Sequence, residues 1–185
     1  LLQNLDRYGH VTLARERLPE GKLAGVSEEL AVELAQMKQI SYIIVEADGA
    51  AGRPLKAPND TEPVIPCNTS LVIPVVGIDI VSCRLTEEKV FRPNIASKLL
   101  GLPPGEIISV EDIARLLTHP QGIIKGSPTQ ARIIPFLNKM DLDTGLLKGR
   151  DLAARILATK HHQIERVVLG QTQSTEPAVE VILRH

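Results

Sequence analysis

Apolar residues recur along this chain in two spacings, and each spacing predicts a different kind of element. Runs in which nearly every residue is apolar predict strands that are covered on both faces. Apolar residues three and four positions apart predict helices with one buried side. Pro74 lacks an amide donor, which indicates an edge strand or a bulge around it. Strands are predicted at His10–Ala14, Tyr42–Ala47, Ser70–Val76, Arg132–Leu137, Arg166–Leu169 and Ala178–Leu183.

The helical segments carry start and stop signals. Ser27 has the side chain of an N-cap, and Gly101 is a natural helix stop. Ser109 and Asp112 have the spacing of a capping box with an acid in place of the usual glutamate. Helices are predicted at Ser27–Gln39, Asn94–Leu100, Ser109–Thr118 and Gly149–Lys160.

The alternation of strands and helices predicts the fold class. Strands that read as continuous apolar runs between helices indicate a mostly parallel sheet with helices on both faces, a three-layer α/β fold. A chain of 185 residues suits a single domain over 1–185. Long Gly/Pro-rich loops at 49–66 and 122–130 are candidates for functional segments.

Composition narrows the function classes. Aromatic residues make up 2% of the chain and the net charge is −1, so neither base-stacking platforms nor a basic footprint predicts nucleic-acid binding. Cys67 and Cys83 form no C-x-x-C pair, and reduced thiols in a cytoplasmic protein are the simpler interpretation. No apolar run has membrane-spanning length.

The residues after the strand Arg132–Leu137 carry a base-recognition pattern, because Asn138, Lys139 and Asp141 form an N-K-x-D tetrapeptide of the GTPase kind. Guanine presents two adjacent donors, N1–H and the exocyclic amino group, and an ionised Asp141 can accept both. Adenine lacks that amino group and has an acceptor at N1. Asn138 would bond the other base edge or tie the loop, and the Lys139 stem would cover the ring. The alternatives are another nucleotide or a polar turn before a helix.

Two acids lie at the end of the predicted strand Tyr42–Ala47. Glu46 and Asp48 would lie on one side of the strand end, because side chains alternate along a strand. Two carboxylates buried together need a compensating cation or hydrogen-bond donors, and Mg²⁺ beside a nucleotide phosphate is such a cation. We therefore expect Asp48, with Glu46, to hold Mg²⁺ and to organise the attacking water.

Glycines and cations come next. Gly49 and Gly52 would let the backbone approach a phosphate, and Arg53 and Lys56 would meet a phosphate or another anion. The alternative is a salt-bridged turn in which Arg53 neutralises Asp48.

The sequence has no G-x-x-x-x-G-K-[ST] loop, whose backbone amides cradle phosphates in P-loop proteins. It begins with Leu1-Leu2 rather than Met. We expect the phosphate-binding loop to lie upstream of Leu1, so that this chain alone is inactive.

Several segments together resemble one family, the selenium-dependent hydroxylase accessory proteins known as the YqeC family. The longest is Val45–Pro58, which reads VEADGAAGRPLKAP. The shorter ones are Glu20–Leu23 with Gly25, Glu62–Pro66, Phe91–Pro93, His119–Gly122 with Lys125-Gly126, and Asn138–Asp141. The family usually has His-Arg-Pro where this chain has Phe91-Arg92-Pro93, so no role of that histidine carries over.

This resemblance implies a P-loop-NTPase-like protein of the class that contains metal-insertion GTPases and dethiobiotin synthetase. It implies GTP or ATP as ligand and a cytoplasmic accessory role in maturing molybdenum hydroxylases, some of which need selenium. The partner would be the hydroxylase or its cofactor. Two alternatives stay open: transfer of a nucleotidyl or phosphoryl group to a molybdopterin-type cofactor, and a non-catalytic module that docks on the hydroxylase.

Overall fold

A computed structural model describes residues 1–184, which contain ten short strands and five α-helices. The helices are α1 Leu2–Tyr8, α2 Glu28–Leu34, α3 Pro93–Leu100, α4 Val110–Thr118 and α5 Gly145–Ala158. The strands are β1 Glu16–Arg17, β2 Leu23–Ala24, β3 Leu55–Lys56, β4 Leu71–Val72, β5 Val75–Gly77, β6 Val90–Phe91, β7 Arg132–Ile133, β8 Phe136–Asn138, β9 Arg166–Gly170 and β10 Ala178–Leu183. None of the helices in this part of the chain is long and apolar enough to cross a membrane.

The main sheet has four strands in the order β10-β9-β8-β5. β5, β8 and β9 run parallel, and β10 is antiparallel to β9. β5 therefore lies at an edge, which agrees with the interpretation of Pro74. β3 pairs with β6 and β4 with β7, both in parallel. The α/β class and the mostly parallel pairing are thus confirmed.

Two predicted strands are each split by a proline. The segment Ser70–Val76 becomes β4 and β5 on either side of Pro74, and Arg132–Leu137 becomes β7 and β8 around Pro135. The two interruptions lie side by side, since the Phe136 amide donates to the Pro74 carbonyl at 2.9 Å. A proline cannot donate to a ladder, which explains the breaks.

The main hydrophobic core of the described chain extends from Leu55 to Leu169. It joins the inner side chains of the sheet, such as Leu137, to those of α4 and α5, such as Leu117 and Leu152. Leu137 and Leu152 are completely buried. This core fixes the strand ends on which the candidate site lies.

The capping predictions are confirmed. The Ser27 hydroxyl accepts from the Leu30 amide at 3.3 Å. Ser109 and Asp112 form the reciprocal box, with Ser109 N donating to Asp112 Oδ2 at 3.0 Å and Asp112 N donating to Ser109 Oγ at 3.1 Å. Two helices differ from the prediction in their bounds: α2 ends at Leu34, and α5 begins at Gly145 and ends at Ala158.

Two strand predictions are wrong. His10–Ala14 is irregular, and pairing begins only at Glu16 in β1. Tyr42–Ala47 is also irregular and largely exposed, with Tyr42 90% and Ile44 97% accessible. A strand needs a neighbour for its backbone hydrogen bonds, and residues 1–184 place no ladder partner beside this segment. Glu46 and Asp48 therefore do not follow a strand end.

His119–Gly122 forms a tight turn that closes α4. The Gly122 amide donates to the His119 carbonyl at 2.8 Å, and the Gln121 amide donates to His119 Nδ1 at 3.0 Å. A Cβ added at Gly122 would lie 1.9 Å from the Leu116 carbonyl oxygen. This close approach explains the glycine and gives His119 a structural role.

Candidate functional site

A solvent-open cavity of about 500 Å³ lies at the carboxyl ends of β8 and β9. Parallel strands end at one edge of a sheet, where ligands of α/β proteins usually bind. The cavity is lined by Asp79, Asn138, Lys139, Asp141, Leu142 and the segment 171–174. All three residues of the predicted base-recognition pattern thus line one cavity.

Asn138 ties the two loops of the cavity together. Its Oδ1 accepts from the Lys139 amide at 2.8 Å and from the Thr172 amide at 3.0 Å. Its Nδ2 donates to Thr172 Oγ1 at 3.1 Å. Of the two roles considered for Asn138, the structure supports the loop tie.

Lys139 crosses the cavity toward the end of β5. Its Nζ lies 2.7 Å from Asp79 Oδ2, and both side chains are partly exposed. Lys139 has φ of 71°, a left-handed conformation that turns the chain sharply after β8. The lysine stem therefore spans the ends of two neighbouring strands instead of extending into solvent.

Asp141 faces the cavity as a free acceptor. Its side chain is exposed and makes no hydrogen bond or ion pair with another described residue. The acid that the sequence assigns to base recognition thus lines the cavity with a carboxylate that is free to accept.

A second polar group surrounds the buried Lys56, which is 8% accessible. Lys56 Nζ donates to the Gly49 carbonyl at 2.9 Å and lies 3.1 Å from Asp48 Oδ2 and 2.7 Å from Glu62 Oε2. Arg92 Nη1 also bonds Glu62 Oε2. The three donors of the Lys56 ammonium are occupied by three acceptors, so Lys56 anchors the 49–66 loop.

Arg53 does not neutralise Asp48. Its Nε donates to the Glu87 carbonyl, and its guanidinium lies 5.5 Å from the centroid of the Phe91 ring. Arg92 lies 4.7 Å from the same centroid. The Phe91 ring therefore packs against the cationic groups of Arg53 and Arg92.

The acids proposed for Mg²⁺ adjoin Gly49. A Cβ added at Gly49 would lie 3.6 Å from Glu46 Oε1, and Lys56 connects the Gly49 carbonyl to Asp48. Gly52 has φ of +75°, a turn conformation that favours glycine. Among residues 1–184, no group of three or more His, Cys, Asp or Glu side chains forms a metal site. The pair Glu46 and Asp48 stays a prediction.

The cavity and the Lys56 group are separate but adjoin the same strand. Asp48 is not part of the cavity lining. The Gly77 amide at the end of β5 donates to the Pro54 carbonyl at 2.9 Å, and Asp79 follows two residues later. β5 thus has the 49–66 loop on one side of its end and the cavity on the other.

Sequence analysis assigned no site role to four features: Asp79, the 171–174 segment, Glu62 and Arg92. Asp79 and Gln171–Ser174 follow β5 and β9, so the rule that singled out Asn138–Asp141 applies to them too. Glu62 and Arg92 are 30 positions apart and carry no local signal of their pairing.

Glu62→Gln tests the charged anchor of the loop. The hydrogen bond from Arg92, with a smaller effect of Lys56, lowers the pKa of Glu62 from 4.5 to about 2. A lowered pKa gives stability that is present above pH 4.5 and is lost as pH falls toward 2. We expect Glu62→Gln to lower the free energy of unfolding by about 1–2 kcal/mol at pH 7, because solvent screens this partly exposed pair.

The difference in the free energy of unfolding between the wild type and Glu62→Gln should shrink as pH falls from 4.5 to 3. Urea unfolding followed by circular dichroism measures it at each pH. Glu88→Gln is the control, because Glu88 is exposed and contacts only its neighbour Lys89. If the loss of stability in Glu62→Gln stayed constant across this pH range, the ionised Glu62 carboxylate would not be the anchor of the loop.

These features together define an α/β protein with a solvent-open cavity of about 500 Å³ at the carboxyl edge of a mostly parallel sheet. The chain belongs to the YqeC family, whose model, described as "YqeC protein", matches residues 2–94. It is 31% identical over 160 residues to the uncharacterized protein YqeC of Escherichia coli strain K12, an alignment that covers 86% of this chain. The aligned part covers 61% of that relative, so the chain spans about three-fifths of its length. No solved structure matches the chain.

Proposed function

We propose that this protein binds a guanine nucleotide, with the base held by Asp141. The observation that carries the proposal is the cavity into which Asn138, Lys139 and Asp141 all converge. Its volume of about 500 Å³ lies within the 300–1,000 Å³ typical of small-molecule sites. The free Asp141 carboxylate matches the two donors of guanine, and Asn138 holds the surrounding loops in place.

The phosphates would extend from the cavity past the end of β5 toward Gly49 and Gly52. Mg²⁺ in nucleotide sites takes one or two carboxylates together with phosphate oxygens and water. Glu46 and Asp48 fit that ligand type and both adjoin Gly49. They would hold the ion, which neutralises phosphate charge when bound.

In the cell we propose a cytoplasmic, nucleotide-dependent accessory role in maturing molybdenum hydroxylases. The support is family membership together with the cavity. GTP hydrolysis would change the conformation of the 49–66 loop. That loop is anchored by ion pairs around Lys56, which a conformational change can break and remake.

The test is a series of nucleotides that differ only at the base, measured on this chain by calorimetry or ligand-detected NMR. GDP should bind at least tenfold tighter than ADP, and IDP, which lacks the exocyclic amino group, should fall between them. Equal affinity for GDP and ADP would overturn the proposal.

The same series with and without Mg²⁺ tests the metal assignment. Mg²⁺ should raise the affinity of the wild type for GDP. The affinity of Asp48→Ala for GDP should be the same with and without Mg²⁺. An equal Mg²⁺ effect in both proteins would remove Asp48 from the ion site without touching base recognition.

A further inference from the structure

Asp79 is the one acid of the cavity that lies at the end of β5. Gly77 is the last residue of β5, and Asp79 follows two positions later. A Cβ added at Gly77 would lie 2.5 Å from Asp79 Oδ1. The absence of a side chain at Gly77 therefore lets the Asp79 carboxylate lie close over the strand end. Its position is built into the fold.

The two oxygens of Asp79 have different surroundings. Oδ2 pairs with Lys139 Nζ at 2.7 Å. Oδ1 is buried and has no hydrogen-bond partner among residues 1–184. Oδ1 therefore faces the strand end and is closed to a ligand in the cavity, whereas the partly exposed side chain lines the cavity and its Oδ2 can accept a second hydrogen bond beside that of Lys139.

The order of the strands determines which end of the cavity is available to each part of a bound nucleotide. β9, β8 and β5 are neighbours in that order, and they contribute the 171–174 segment, Asp141 and Asp79 in turn. A base held by Asp141 between β8 and β9 leaves the space toward β5 for the sugar. The phosphates then continue past β5 toward the 49–66 loop.

We propose that Asp79 accepts hydrogen bonds from the ribose hydroxyls of the bound nucleotide, so that the site selects ribonucleotides. This inference rests on the proposed guanine-nucleotide binding. Vicinal hydroxyls are two donors, and a carboxylate at a neighbouring strand end is a suitable acceptor for them. The ion pair with Lys139 Nζ holds the Asp79 side chain at the cavity.

The experiment compares GDP with 2′,3′-dideoxyguanosine diphosphate on the wild type, Asp79→Asn and Asp79→Ala. The wild type should bind GDP about tenfold or more tightly than the dideoxy compound, the effect of losing hydrogen bonds to a charged acceptor. In Asp79→Ala the ratio should fall to about one, and Asp79→Asn should lie between. Asp143→Ala is the control for loss of a nearby exposed charge, and its ratio should match the wild type.

The two affinities in each ratio are measured on the same protein. Partial unfolding would lower both affinities by the same factor, so it would not change the ratio. A purely structural role for Asp79 would weaken both ligands and preserve the ratio, and that result overturns the inference. A wild type that prefers GDP over ADP but not over the dideoxy compound also overturns it while leaving base recognition intact. A wild type without guanine preference instead refutes the proposed function.

Discussion

Asp141→Asn is expected to lower the affinity for GDP about 100-fold and to make xanthosine diphosphate the better ligand. The carboxylate accepts both guanine donors, whereas an amide offers one acceptor and one donor. Xanthine replaces the exocyclic amino donor by a carbonyl acceptor, so it complements the amide. Calorimetry with GDP and xanthosine diphosphate on both proteins measures the exchange.

Asp143→Asn is the matched control for the Asp141 variant. Both acids are exposed and lie on the same turn, but only Asp141 lines the cavity. The control should keep the wild-type preference. If Asp141→Asn also kept it, the base would be held elsewhere and the assignment of Asp141 would be wrong.

Gly122→Ala is expected to destabilise the protein by about 2–4 kcal/mol, the range for a forced backbone clash in a packed region. The added Cβ would lie 1.9 Å from the Leu116 carbonyl oxygen and 3.0 Å from the Leu116 carbonyl carbon. Both are backbone atoms of α4, so relief requires moving the helix end or the turn. The free energy of unfolding from urea titration measures the loss.

Gly25→Ala is the control for the glycine variant. Gly25 is exposed, has no atom within 4 Å of an added Cβ and does not need a left-handed conformation. Its substitution should change the free energy of unfolding by less than about 0.5 kcal/mol. If Gly122→Ala changed the free energy of unfolding by a similarly small amount, the backbone of the turn would be relieving the clash at little cost, and the prediction would be wrong.

Local sequence patterns predicted much of the fold and picked out three of the residues that line the cavity. The capping residues Ser27 and Ser109 act on amides three positions away, so a short window contains the whole interaction. Asn138 and Asp141 follow a strand whose apolar run is evident. In both cases the physical cause lies within a few residues of the signal.

The failures come from interactions that a local window does not contain. Tyr42–Ala47 has the composition of a buried strand, but burial and pairing require a neighbouring strand, which local hydrophobicity cannot supply. The partner of Asp48 is Lys56 rather than the nearer Arg53, because the fold of the loop decides which cation reaches it. Asp79 and the 171–174 segment also follow strands, but only the strand order shows that they share one cavity with Asp141.

The anchoring of Lys56 has a practical consequence for following the 49–66 loop in solution. An ammonium group held by three oxygens and almost fully enclosed should react slowly with amine-acylating reagents, whereas exposed lysines such as Lys22 react at once. The acylation rate at Lys56, determined by peptide mass spectrometry, would therefore serve as a chemical footprint of loop opening.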